Sequence, residues 1–198
     1  MCILLIPFVA NAQRVEKIYY ENGSVKAEGI IENGTKTGKW KFYYPSGILS
    51  SEEEYIDDQL NGAVKYYDNF GKLIAEENWE FGILEDSATY FFSNGILEKK
   101  GVYIKGLYEG LWLFYYENGN LKRSGFYKSG LPNGEWRFYN LNKVLVQEGS
   151  FKNGKEQGLW KFYADSGDLE YYGNYLDGEK TGEWFRMNKK GTAKPYKY

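Results

Sequence analysis

The sequence predicts an all-β fold: one elongated, curved, single antiparallel sheet made of about seven β-hairpins of 24 residues each. Three observations predict it. Glycine returns at a fixed interval, at Gly38, Gly62, Gly110, Gly134, Gly158 and Gly182, with Asp86 in the one break. Aromatic residues make up 19% of the chain and glycine supplies 24 of its 198 residues, a composition of strands and tight turns. Between the turns, apolar residues alternate with polar ones, as half-buried strands require. A repeat of this length is one supersecondary element. It cannot bury its apolar surface alone and must stack on its neighbours.

Each unit can be counted from its comb residue as position zero. Position 2 is then Trp40, Val64, Ala88, Trp112, Trp136, Trp160 and Trp184. Position 4 is aromatic from Phe42 to Phe162, and position 5 is Tyr43, Tyr67, Phe91, Tyr115, Tyr139 and Tyr163. Position 9 is glycine except at Lys143, position 11 is leucine, and position 17 is aromatic. Asn22-Gly23, Asn94-Gly95 and Asn118-Gly119 fall at positions 8 and 9. Asn-Gly there predicts a two-residue type I′ turn, which needs positive φ at both central residues. Such a loop pairs position 7 with 10, 6 with 11, 4 with 13, 3 with 14 and 2 with 15. The residues of the return connection, positions 18 to 23, do not specify its turn type.

This register sets two side-chain relations. Position 2 faces 15, which puts Trp112 across from Gly125, Trp136 from Gly149 and Trp160 from Gly173. An indole over a strand glycine covers backbone that would otherwise be bare. Trp40 and Val64 meet Glu53 and Glu77 instead. Position 3 faces 14, which pairs Lys41 with Glu52, Lys65 with Glu76 and Arg137 with Glu148. Opposite charges across an antiparallel pair contribute about 0.2–1 kcal/mol each. Where position 3 loses its positive charge, position 14 loses its glutamate: Thr89 faces Lys100 and Leu113 faces Ser124. The charged stripe reads either as a ligand-binding surface or as a solvated, self-neutralising face. Period two places Trp at 2 and the aromatic at 4 on the core face, with the charges and the position 5 tyrosine on the other. Seven units of two strands span roughly 70 Å.

The ends differ from the array. Ile3 to Val9 is apolar and leads into Ala10-Asn11-Ala12-Gln13, with small residues placed for secretory cleavage. Residues 1–12 therefore read as a truncated signal peptide cut between Ala12 and Gln13, and export to the periplasm, cell surface or medium is expected. Cys2, the sole cysteine, lies within it. The repeat array occupies 13–188. Residues 189–198 form a basic tail with Lys189, Lys190, Lys194 and Lys197, which reads as a polar cap on the last sheet edge or else as a contact for anionic surfaces.

The stretch from Gly110 to Leu121 resembles the MORN-repeat variant of bacterial proteins, as do Gly134 to Tyr139 and Gly158 to Tyr163. The resemblance extends over about residues 18 to 190. It implies a curved sheet of β-hairpins and a binding or scaffold role. Some members of that family are labelled YwqK-type antitoxins.

Composition narrows the function further. The chain has no histidine, and so lacks the commonest general base and the commonest metal ligand. No glycine-rich phosphate loop or metal-ligand cluster is present in the sequence. Glu52, Glu53 and Glu54 are adjacent, but neighbours on a strand point to opposite faces. A net charge of −2 and a pI near 5.5 give no nucleic-acid footprint, and no apolar run reaches membrane-spanning length. The expectation is a non-catalytic exported repeat protein, without cofactor or metal, that binds another protein or a cell-envelope polymer. The alternative is an antitoxin that neutralises a partner toxin. Tyr43, Tyr67, Tyr115, Tyr139 and Tyr163 are the candidate contact row, because tyrosine has an apolar body and a polar tip. Trp40, Trp112, Trp136, Trp160 and Trp184, with Gly110, Gly134, Gly158 and Gly182, are assigned to holding the repeat together.

Overall fold

The computed structural model describes residues 13–197, so the expected leader and its cleavage site lie outside the described residues. Eighteen strands run from Arg14–Tyr19 to Ala193–Tyr196, with no helix among the described residues. Successive strands pair antiparallel from one end to the other, giving a single open meander of hairpins. The last strand, Ala193–Tyr196, pairs with Glu179–Met187 and carries Pro195. This strand is short and contains a proline, two features that discourage edge pairing.

The first turn of each unit differs from the type I′ turn expected, and the return connection, whose type the sequence left open, takes that turn instead. At the first turn only the glycine has positive φ, as at Gly119 (+82°), and Asn118 does not. The Gly119 amide donates to the Tyr116 carbonyl at 2.8 Å, and the Tyr116 amide donates to Asn120 at 2.9 Å. This is a three-residue loop, a type I turn closed by a left-handed glycine, not the type I′ turn expected. Position 5 consequently pairs with 11, as Tyr115 does with Leu121, and one residue, Lys122, is extruded before Phe114 meets Arg123. The extra loop residue and the bulge cancel, so positions 2, 3 and 4 keep their predicted partners. The type I′ turn belongs to the return connection, at Asn33-Gly34, Lys105-Gly106, Ser129-Gly130 and Asn153-Gly154, where both residues have positive φ. Lys143 keeps the left-handed conformation of the glycine it replaces, with φ of 66°.

The comb itself is a second bulge. Where each return strand meets the next unit, the register slips by two residues: Lys100 pairs with Leu113, but Val102 pairs with Glu109. The same slip recurs between Glu148/Lys161 and Ser150/Gln157. Position zero holds the chain in a left-handed conformation there, glycine in six units and Asp86 (φ 64°) in the other. A bulge of this kind bends the strand and re-aims the side chains that follow.

The side chain re-aimed is the tryptophan. Trp136 and Gly149 are register partners as expected, and so are Trp112/Gly125 and Trp160/Gly173. The indole, however, does not lie over that partner. It leans across the bulge onto position 15 of the preceding unit. A methyl group added at Gly125 would land inside the Trp136 ring, and one at Gly149 inside the Trp160 ring. The same holds for Gly29 with Trp40, Gly101 with Trp112 and Gly173 with Trp184. Each indole N–H then donates to the carbonyl one residue beyond that glycine: Trp112 to Val102 at 3.0 Å and Trp136 to Phe126 at 3.0 Å. The five indoles are 0–3% exposed. Trp136 is boxed by the position 17 aromatics Tyr127 and Phe151 and by Phe138 at position 4 of its own unit, and Trp160 likewise by Phe151, Tyr175 and Phe162. The core is therefore an aromatic spine along one face of a single-layer sheet.

Candidate interaction surface

Both broad faces of this sheet are built from the same strands, and the face opposite the spine carries the predicted charges. Lys17–Glu28 (2.9 Å) and Lys65–Glu76 (3.0 Å) are close pairs, while Lys41–Glu52 and Arg137–Glu148 are looser at 3.7 Å. Lys161, whose hairpin partner is Tyr172, reaches back to Glu148 of the previous unit at 3.2 Å. All are partly exposed pairs, of the kind worth at most about 1 kcal/mol each.

The five candidate tyrosines lie on this face and are half-buried. Three of them are tied to the ladder. Tyr43 donates to Glu28 at 2.7 Å, Tyr67 to Glu52 at 3.1 Å, and Tyr163 to Glu148 at 2.7 Å. The structure thus assembles a Lys–Glu–Tyr cluster in which the tyrosine comes from the unit after the glutamate. Burial, followed by the hydrogen bond to a carboxylate, pushes the Tyr43 and Tyr163 phenols up to about 12. Glu28 is held below the usual carboxylate range by hydrogen bonds from Lys17 and then Tyr43, and Glu148 by Tyr163 and then Lys161. Tyr115 and Tyr139 stand one unit beyond Lys100 and Ser124, where the glutamate is missing.

Where the charges lapse, apolar side chains take over. Val102, Ile104, Leu107, Leu111, Phe126 and Leu131 are 38–50% exposed. Leu111 pairs with Phe126, and Ile104 with Leu107, so the six share one face. The loss of the ladder at Thr89 and Leu113 is legible in the sequence, and the patch is not. Its members fall on one face only once the return turn and the comb bulge are known.

The spine face has its own departure. In the two units without tryptophan, Val64 and Ala88 are buried where indoles would lie, and the preceding position 15 is Glu53 or Glu77 instead of glycine. Glu53 accepts from Ser51 (2.6 Å) and from Tyr55, and Glu77 accepts from Trp79 (3.1 Å) and Tyr90 (2.7 Å). The carboxylates fill the vacated space with satisfied hydrogen bonds. Burial drives the Tyr90 and Tyr55 phenols far above the ordinary tyrosine range, with hydrogen bonds to Tyr103 and Glu77 and to Glu53 adding to it. Glycine or glutamate eleven residues before tryptophan or a small residue was a legible signal, since all seven pairs obey it.

The profile of the MORN repeat variant matches six segments: 15–33, 36–57, 60–80, 108–129, 132–153 and 156–177. The chain belongs to the MORN repeat variant family. The family profile passes over residues 81–107, the unit with Ala88 at position 2 and Asp86 in the comb. No curated protein matches the chain in sequence. Among solved structures, a crystal structure of TcdB2-TccC3 is 14% identical, with a TM-score of 0.20, over 89% of this chain and 13% of that one. A protein of unknown function from Bacteroides fragilis is 10% identical, with a TM-score of 0.13, over 94% of this chain and 90% of that one. The chain spans about an eighth of the length of the first of these.

Proposed function

We propose that this MORN-variant array is a non-catalytic binding module, exported from the cell, whose charged face engages a partner protein or a cell-envelope polymer. The observation that carries the proposal is the recurrence of one chemical cluster at one level of the sheet: Lys17–Glu28–Tyr43, Lys41–Glu52–Tyr67 and Lys161–Glu148–Tyr163. Each cluster offers a cation, a carboxylate and the flank of a phenol ring. Weak contacts repeated along a rigid ribbon add up when one ligand reaches several of them. Ligand contact at Tyr43, Tyr67 and Tyr163 rests on this arrangement, and Tyr115 and Tyr139 extend the same row where the glutamate is missing. The antitoxin alternative has no observation of its own in its favour.

The test is retention of cell-envelope proteins and glycans by immobilised residues 13–198, compared with the Tyr67→Ser/Tyr163→Ser variant. The expected result is retention by the parent and its loss in the variant, with the β-sheet circular dichroism spectrum preserved. Equal retention by a folded variant removes the tyrosine row from the binding surface.

A further inference from the structure

The apolar patch on the charged face is arranged as a palindrome about one strand, Leu107–Tyr115, except at Ile104, whose counterpart at position 18 is Lys128. Leu107 and Leu111 lie on that strand. One strand away on either side stand Val102 and Phe126, both at position 16. Two strands away stand Ile83 and Leu131, both at position 21 and about half exposed. Three strands away the pattern continues with opposite charges, Glu80 on one side and Lys152 on the other, both at position 18. Because the repeat period is constant, residues at equal positions sit at the same level along their strands.

We infer that this face is the contact surface of a homodimer, in which two copies pack face to face about a two-fold axis parallel to the strand Leu107–Tyr115. Such an axis keeps the level along the strands and exchanges left for right. It lays Val102 on the partner subunit's Phe126, Ile83 on the partner subunit's Leu131, and Glu80 beside the partner subunit's Lys152. A two-fold contact must be self-complementary, and an axis perpendicular to the strands at the level of Glu80 would set Glu80 against its own copy. The exposed apolar area of these side chains is on the order of 600 Å², the top of the range for a patch on a monomer. With its charged rim the face approaches the roughly 800 Å² per partner of a stable interface. Apolar centre and polar rim are also the usual anatomy of such contacts. Twisted sheets packed face to face diverge away from their contact, which leaves the Lys–Glu–Tyr clusters of the outer units open to a ligand.

Sedimentation equilibrium of residues 13–198 over a wide concentration range tests this. The parent chain is expected to reach twice the single-chain mass. Leu111→Asp/Phe126→Ser should stay at single mass with its circular dichroism spectrum unchanged. Glu80→Lys and Lys152→Glu, both at exposed positions, should each weaken dimerisation several-fold, and the double swap should restore it. A parent chain of single mass at every concentration overturns the inference. So does a dimer indifferent to the Leu111/Phe126 change, or a charge-swap double variant as weak as the sum of its singles.

Discussion

At the scale of single residues, the phenol–carboxylate bonds carry a pH dependence that works at both ends. Glu148 titrates below its ordinary range, so its contribution is complete above about pH 5 and disappears as pH falls through the lowered value. Tyr163 titrates above its ordinary range, so its contribution is present below about pH 10 and is lost as pH climbs toward about 12. Thermal midpoints should therefore form a plateau between those limits, with shoulders on both sides. Tyr163→Phe should lower the stability on the plateau by about 1 kcal/mol, soften the acid shoulder and shrink the alkaline one, as read by thermal melts and tyrosinate absorbance. An acid shoulder unaltered by the substitution would show that Glu148 owes its low pKa to Lys161 and Arg137 alone. These bonds were not legible in the sequence. Lys41 and Glu52 declared themselves through the hairpin register, but Tyr43 reaches Glu28 across the junction between units, where the comb bulge displaces the register by two residues.

At the scale of the hairpin, the pairing of strands was legible and the turns were not. Asn-Gly pointed to a type I′ turn at Asn118-Gly119. The same dipeptide occurs at Asn33-Gly34 and Asn153-Gly154, where that turn is found. The positions beyond the loop survived the error because a surplus loop residue is undone by the bulge at Lys122. The Trp–Gly contact was read at the right residues but across the wrong boundary, since strand pairing alone does not say which way a ring leans. The corrected boundary predicts a coupled substitution. Val64→Trp alone should destabilise by about 1–3 kcal/mol through overpacking, because Glu53 fills the space the indole needs. Glu53→Gly with Val64→Trp recreates the spacing of the other units and should be more stable than either single variant, giving a coupling of the size neighbours show. Additive single effects in denaturant melts would mean that the two sites do not share that space.

At the scale of the whole molecule, the constant period means that units are interchangeable in register. Deleting residues 134–157 joins Asn133 directly to Gly158 and should leave a shorter folded array, because each unit contacts only its neighbours. Deleting one residue fewer shifts every later side chain to the opposite face and should abolish the cooperative melt followed by circular dichroism. All-β architecture and the 24-residue step were visible at once because glycine and tryptophan mark them. The patch around Leu111 and Phe126 was not, because its members are scattered over thirty positions that only the finished topology collects. One feature of the spine also gives the ribbon a direction. Each of the five spine indoles locks onto a glycine made earlier in the chain, and the first described strand carries Glu16 in the tryptophan slot. During synthesis each socket leaves the ribosome before the plug that fills it, so the protein can assemble vectorially.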